Sequence, residues 1–93
     1  MTNRDKLKQL LLDVFLLTED EFSFELRKQD VSTWDSLGVV SLAVGIQETF
    51  GYHFTPQEAT AIQSVGDIMR ILSEHGISFD ESILIRTFLT RAL

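Results

Sequence analysis

Helix start and stop signals follow one another so closely after residue 35 that this part of the chain has little room for anything but short helices. Asp35 stands before Ser36 as a good N-cap, and Gly51 sits where a left-handed residue ends a helix. The second helix is therefore expected from Asp35-Ser36 to Phe50. Thr55-Pro56-Gln57-Glu58 then combines a Thr cap, Pro in the first helical position and Glu at the third. The third helix must be short, because Ser64-Val65-Gly66-Asp67 opens another. That fourth helix should run from about Val65 to His75, with Gly76 as its stop and His75 facing the negative end of its dipole.

Upstream, Leu7, Leu10, Leu11, Val14 and Leu17 recur at helical spacing and predict an amphipathic first helix over about 4–17. Residues 18–35 have no such period. Thr18 and Glu21 can box a short turn. Phe22, Phe24 and Leu26 alternate with polar residues as a strand would, but a lone strand is marginal. The expectation is a long loop pinned by Phe22, Phe24, Leu26, Val31 and Trp34, with Trp34 packing on the loop it closes. Ser78 and Glu81 offer one more cap. Ile83, Leu84, Ile85, Phe88 and Leu89 predict a fifth helix over about 80–92, with Arg86 and Arg91 near its C-terminal end. The whole reads as one all-α domain over 1–93, a bundle with a core over 4–76 and an additional C-terminal helix. That helix has too many apolar groups to leave in water. It should dock on the bundle or pair with a second copy as a homodimer.

Composition removes several function classes. With no cysteine there is no disulfide, thiolate metal site or cysteine nucleophile. A reducing cytoplasm fits such a chain, and Met1-Thr2-Asn3-Arg4-Asp5-Lys6 leads into charge rather than into a signal peptide. No apolar run reaches the roughly 18–20 residues of a membrane span. A formal charge of −6 disfavours nucleic acid and favours basic partner surfaces.

The chemistry centres on Trp34-Asp35-Ser36-Leu37-Gly38. A serine at a helix start has a plain use in capping. The second helix has more to it: at about 100° per residue, Val39, Leu42, Ala43, Ile46 and Phe50 form one apolar stripe. Leu37, Val40 and Val44 form another, beginning beside Ser36. One stripe can face the core and the other a partner.

These residues resemble the acyl carrier protein family. The likeness runs through Asp35-Ser36-Leu37, Val40, Leu42, Ile46, Glu48, Phe50 and Gly51, then Phe54-Thr55-Pro56-Gln57-Glu58-Ala59 and Val65-Gly66-Asp67-Ile68. It needs no gap and covers about residues 4–76. It implies a four-helix fold with a short third helix. It implies that a phosphopantetheinyl transferase moves a 4′-phosphopantetheine arm from coenzyme A to Ser36, contacting Asp35 and Leu37. An acyl or aminoacyl group would then travel as a thioester to synthase, ligase or transferase enzymes of fatty-acid, polyketide or related biosynthesis. The chain departs from the family's usual pattern in two ways. Gly38, Ser41 and Gln47 stand where acids are frequent, leaving Glu48 with Asp35, and a tail follows Gly76. The expected partner contacts are Asp35, Leu37, Val40, Val44 and Glu48.

An enzyme reading would make Ser36 a nucleophile with His53 or His75 as base. A nucleophile elbow wants Gly two residues to either side of the Ser and a preceding strand; Trp34 occupies one of those places, and no strand precedes. Two histidines without ligand spacing make no zinc site. The chain is thus read as a carrier without catalysis of its own. The alternative is the same fold with Ser36 unmodified, acting as a non-covalent interaction module.

Overall fold

A computed structural model describes residues 2–79. It contains four α-helices: α1 (Asn3–Phe15), α2 (Ser36–Phe50), α3 (Pro56–Ala61) and α4 (Val65–Glu74). No strand forms among the described residues; one isolated bridge joins Arg27 to Ser64. The chain is an all-α bundle with a short third helix. The expected fifth helix, over about 80–92, lies outside the described residues.

The punctuation acts as local chemistry dictates. Asp35 Oδ1 accepts from the Gly38 N–H at 2.9 Å, and Gly51 ends α2 with φ 75°. Thr55 and Glu58 close a reciprocal box with Pro56 inside it. Ser64 Oγ accepts from the Asp67 N–H at 3.0 Å and opens α4. At α1 the bounds shift. Thr2 and Asp5 box its start, and Leu16 turns left-handed at φ 57°, ending the helix at Phe15 rather than 17. The Leu17 N–H then returns to the Leu12 carbonyl at 3.0 Å. This turn leaves Leu16 in water and sets Leu17 against the core, so the apolar period outlasts the helix.

The segment over 18–35 is a loop built on two 3-10 turns, Glu19–Glu21 and Lys28–Asp30. The Thr18–Glu21 box forms as expected. Phe22, Phe24 and Leu26 pack against the core from one side, which accounts for their alternation. The backbone pairs across the fold at one isolated bridge and not along a strand. Val65 N–H donates to the Leu26 carbonyl at 2.9 Å and Lys28 N–H to the Gln63 carbonyl at 2.7 Å. Trp34 is buried and stacks on Phe15 of α1, with centroids 4.8 Å apart, while its backbone N–H donates to the Val31 carbonyl of its own loop at 3.0 Å.

The core joins Leu7, Leu11 and Phe15 of α1 to Leu42 and Ile46 of α2 and to Val65, Ile68, Ile71 and Leu72 of α4. Each large side chain buried in this way contributes about 1.5–3 kcal/mol. Phe79 closes one end, edge-on to Phe50 at 5.8 Å. Its carbonyl accepts from Arg4 Nε at 2.7 Å.

His75 does more than face a helix dipole. Its ring stacks on Tyr52 at 4.3 Å, and its Nε2 lies 3.0 Å from the Tyr52 hydroxyl and 3.5 Å from Glu58 Oε2. Tyr52 in turn donates to Glu58 Oε1 at 2.5 Å. The end of α4, the α2–α3 loop and the start of α3 thus share one clasp. The Thr55 backbone N–H and then the Tyr52 hydroxyl hold the Glu58 carboxyl below its usual range. The hydrogen bond to Glu58, followed by desolvation, pushes Tyr52 up to about 12.

Two predictions follow from this packing. A Cβ at 38 would stand 2.3 Å from the Thr33 carbonyl oxygen, whereas one at 45 would meet only the flexible end of Leu10, at 2.4 Å. Gly38→Ala should therefore cost about 1–3 kcal/mol. Gly45→Ala should stay within about 1 kcal/mol, because the gain in helix propensity offsets a shift of Leu10. Urea unfolding checks the order, and equal losses would contradict it.

The second prediction concerns pH. Glu58 is depressed, so its contribution is present above its unfolded value and lost as pH falls through the folded one. Tyr52 is raised, so its contribution is present below pH 10.0 and lost as pH rises through about 12. Tyr52→Phe should make Glu58 titrate at higher pH by NMR and remove the alkaline loss. An unchanged Glu58 titration would count against the clasp.

Candidate functional site

Asp35 is the cap of α2, so capping does not occupy Ser36. Ser36 is the first helical residue and is exposed. The first turn holds no acidic side chain, and the positive end of the helix dipole faces the same spot. An exposed hydroxyl there suits an anionic substituent such as a phosphodiester, because helix N–H groups favour negative charge.

Around Ser36 the outer face of α2 is apolar. Leu37, Val40 and Val44 are 78%, 61% and 51% exposed. Ser41, Gln47 and Glu48 are exposed as well, and at about 100° per residue Glu48 closes the far end of the Leu37–Val40–Val44 row. The opposite stripe turns inward: Leu42 and Ile46 are buried, with Val39, Ala43 and Phe50 packed beside them. Both stripes therefore sit where the periodicity put them. Gly38 does not belong to the outer face. It is buried against Thr33 and Phe15, so it is a close-approach glycine and not a neutral substitute for an outward acid.

Sequence reasoning missed a depression beside Ser36. Lys28, Ser36, Val39, Ala59 and Thr60 line about 270 Å3 where the Lys28–Asp30 turn, the start of α2 and α3 meet. Lys28 lies well upstream in a loop, and no spacing rule connects it to Ser36.

Neither histidine is brought to Ser36. His53 Nδ1 lies 3.0 Å from Gln47 Oε1, at the far end of α2 and about 16 Å along the helix from Ser36. His75 is held by Tyr52, just past the same end. Among the described residues no cluster of three His, Cys, Asp or Glu could hold a metal, and no helix is long and apolar enough to cross a membrane. The acidic residues Glu19, Asp20, Glu21 and Glu25 are exposed on the loop, where Glu19 pairs with Lys8 at 3.5 Å.

No family model matches the chain. Curated relatives do. An acyl carrier protein of Clostridium perfringens (strain SM101 / Type A) is 31% identical over 71 residues, spanning 76% of this chain and 93% of the relative. An acyl carrier protein of Coprothermobacter proteolyticus is 29% identical over 70 residues, spanning 75% of this chain and 85% of the relative. Likeness at that identity over nearly the whole of a relative, on a four-helix frame with an exposed serine opening α2, shows that the chain belongs to the acyl carrier protein family.

Proposed function

We propose that this chain is a single carrier domain that holds an acyl or aminoacyl group as a thioester on a 4′-phosphopantetheine arm joined to Ser36. The observation that supports the reading most is the division of labour at the start of α2. Asp35 takes the cap bond and leaves Ser36 exposed and structurally unemployed. When bound, the arm supplies the reactive thiol, and the protein supplies position and recognition. Coenzyme A is the donor, a phosphopantetheinyl transferase makes the linkage, and the chain has no catalysis of its own. Synthase, ligase or transferase enzymes of fatty-acid, polyketide or related biosynthesis then receive the cargo in the cytoplasm.

Asp35 and Leu37 flank the modified serine and form the contact for the transferase. Leu37, Val40 and Val44, with Glu48 at the end of the row, form the contact for the enzymes that load and unload the arm. Exposed ion pairs contribute only about 0–1 kcal/mol each and are screened by salt, whereas a buried Val or Leu contributes more. Partners therefore grip α2 mainly through apolar contact, while the acidic loop over 19–25 can still steer encounter.

Coenzyme A, magnesium and a broad transferase should add one arm to wild type and none to Ser36→Ala, as read by intact mass. Because Asp35 and not Ser36 caps the helix, the alanine variant should keep its stability within about 0.5 kcal/mol. An arm on the alanine variant would refute the site, and a wild type that stays unmodified would favour a non-covalent module. In a salt series with a cognate enzyme, Val40→Ala should weaken binding more than Glu48→Gln, with little change in salt slope. A larger effect of Glu48→Gln, with affinity lost at moderate salt, would refute the apolar grip.

A further inference from the structure

We infer that Lys28 is the counter-ion this chain supplies to the phosphodiester on Ser36, and so a positioning residue for the first atoms of the arm. The inference rests on Ser36 being the attachment point.

Lys28 opens the Lys28–Asp30 turn, and its backbone is fixed on both sides. Its N–H donates to the Gln63 carbonyl at 2.7 Å, and its carbonyl accepts from the Val31 N–H at 3.2 Å. The residue is half-buried and lines the same depression as Ser36. Its neighbour Arg27 pairs with Asp30 at 3.5 Å, but Lys28 has no ion pair among the described residues.

The other walls of the depression are uncharged. Val39 and Ala59 are apolar, and the Thr60 hydroxyl donates back to the Pro56 carbonyl at 2.8 Å. A lysine ammonium that bounds this depression without a carboxylate partner can pair with an anion placed there. None of these walls provides one. A phosphodiester on Ser36 brings one negative charge to this spot. It also places that charge next to Asp35, whose carboxylate is fixed toward Gly38 by the cap. Lys28 offsets the repulsion between the two anions and biases the arm toward the α3 side of α2 rather than straight into solvent.

The test uses the full chain before and after arm attachment. Intact mass and peptide mapping first establish that wild type, Lys28→Gln and Lys28→Arg each take one arm on Ser36. Amine labelling followed by mass spectrometry then compares the reaction rate of Lys28 in the two forms, with exposed Lys6 as internal reference. Lys28 should react severalfold more slowly once the arm is attached, because a nearby anion favours the charged, unreactive ammonium. Lys6 should not change. The phosphorus NMR resonance of the loaded protein should move in Lys28→Gln and return in Lys28→Arg, which a purely structural role would not produce. Equal labelling in both forms, or a phosphorus resonance indifferent to Lys28→Gln, would overturn the counter-ion while leaving the attachment site intact. Absence of the arm from Ser36 would overturn both.

Discussion

The seam between the end of α1 and the start of α2 holds the rest of the structure in register. Thr33 Oγ1 donates to the Phe15 carbonyl at 2.7 Å, closing one of the open carbonyls at the end of α1. The Phe15 ring stacks on Trp34, and Gly38 lies so close that a Cβ would collide with the Thr33 carbonyl. Two residues before Gly38 stands Ser36. A helix anchored this tightly in its first turn can present an exposed serine in a fixed direction. The same anchor leaves Ser36 exposed, because Thr33 and Phe15 meet the helix at Gly38, on the inward side of the turn.

The two faces of α2 follow from that anchoring. Inward packing by Leu42 and Ile46 holds the helix, while Leu37, Val40 and Val44 stay more than half exposed. Their exposure lowers solubility and leaves half or more of each outside the packing of the described residues. Such a row on a small acidic protein is costly to keep unless something covers it in passing. A carrier that meets several enzymes in turn has that requirement. Brief contact with a modest apolar row is compatible with release, and net negative charge keeps free molecules apart.

Legibility in the sequence tracked the range of the interactions. The caps at Asp35, Thr55 and Ser64 and the stop at Gly51 are local, and the bounds of α2 emerged as read. The end of α1 did not, since Leu17 keeps the apolar period while the backbone has already turned at Leu16. The alternation of Phe22, Phe24 and Leu26 suggested a strand by pattern alone. Its real cause is one-sided packing of a loop on the core, visible only once the helices are in place. Gly38 could not be distinguished from an outward position, because its burial depends on Thr33 and Phe15. Helix-local chemistry sets His75 against the dipole of its own helix, whereas its partners Tyr52 and Glu58 come from elsewhere in the chain. Lys28 carried no signal at all, since a loop lysine acquires meaning only from the side chains that fold around it.

The most direct measurement is made on the protein as cells produce it. Purified from its own organism and digested, it should yield a peptide containing Ser36 that carries a phosphopantetheine mass and ejects the arm as a fragment ion. No other serine should carry it. A Ser36 peptide found only unmodified, in cells whose other carriers bear the arm, would contradict the central claim.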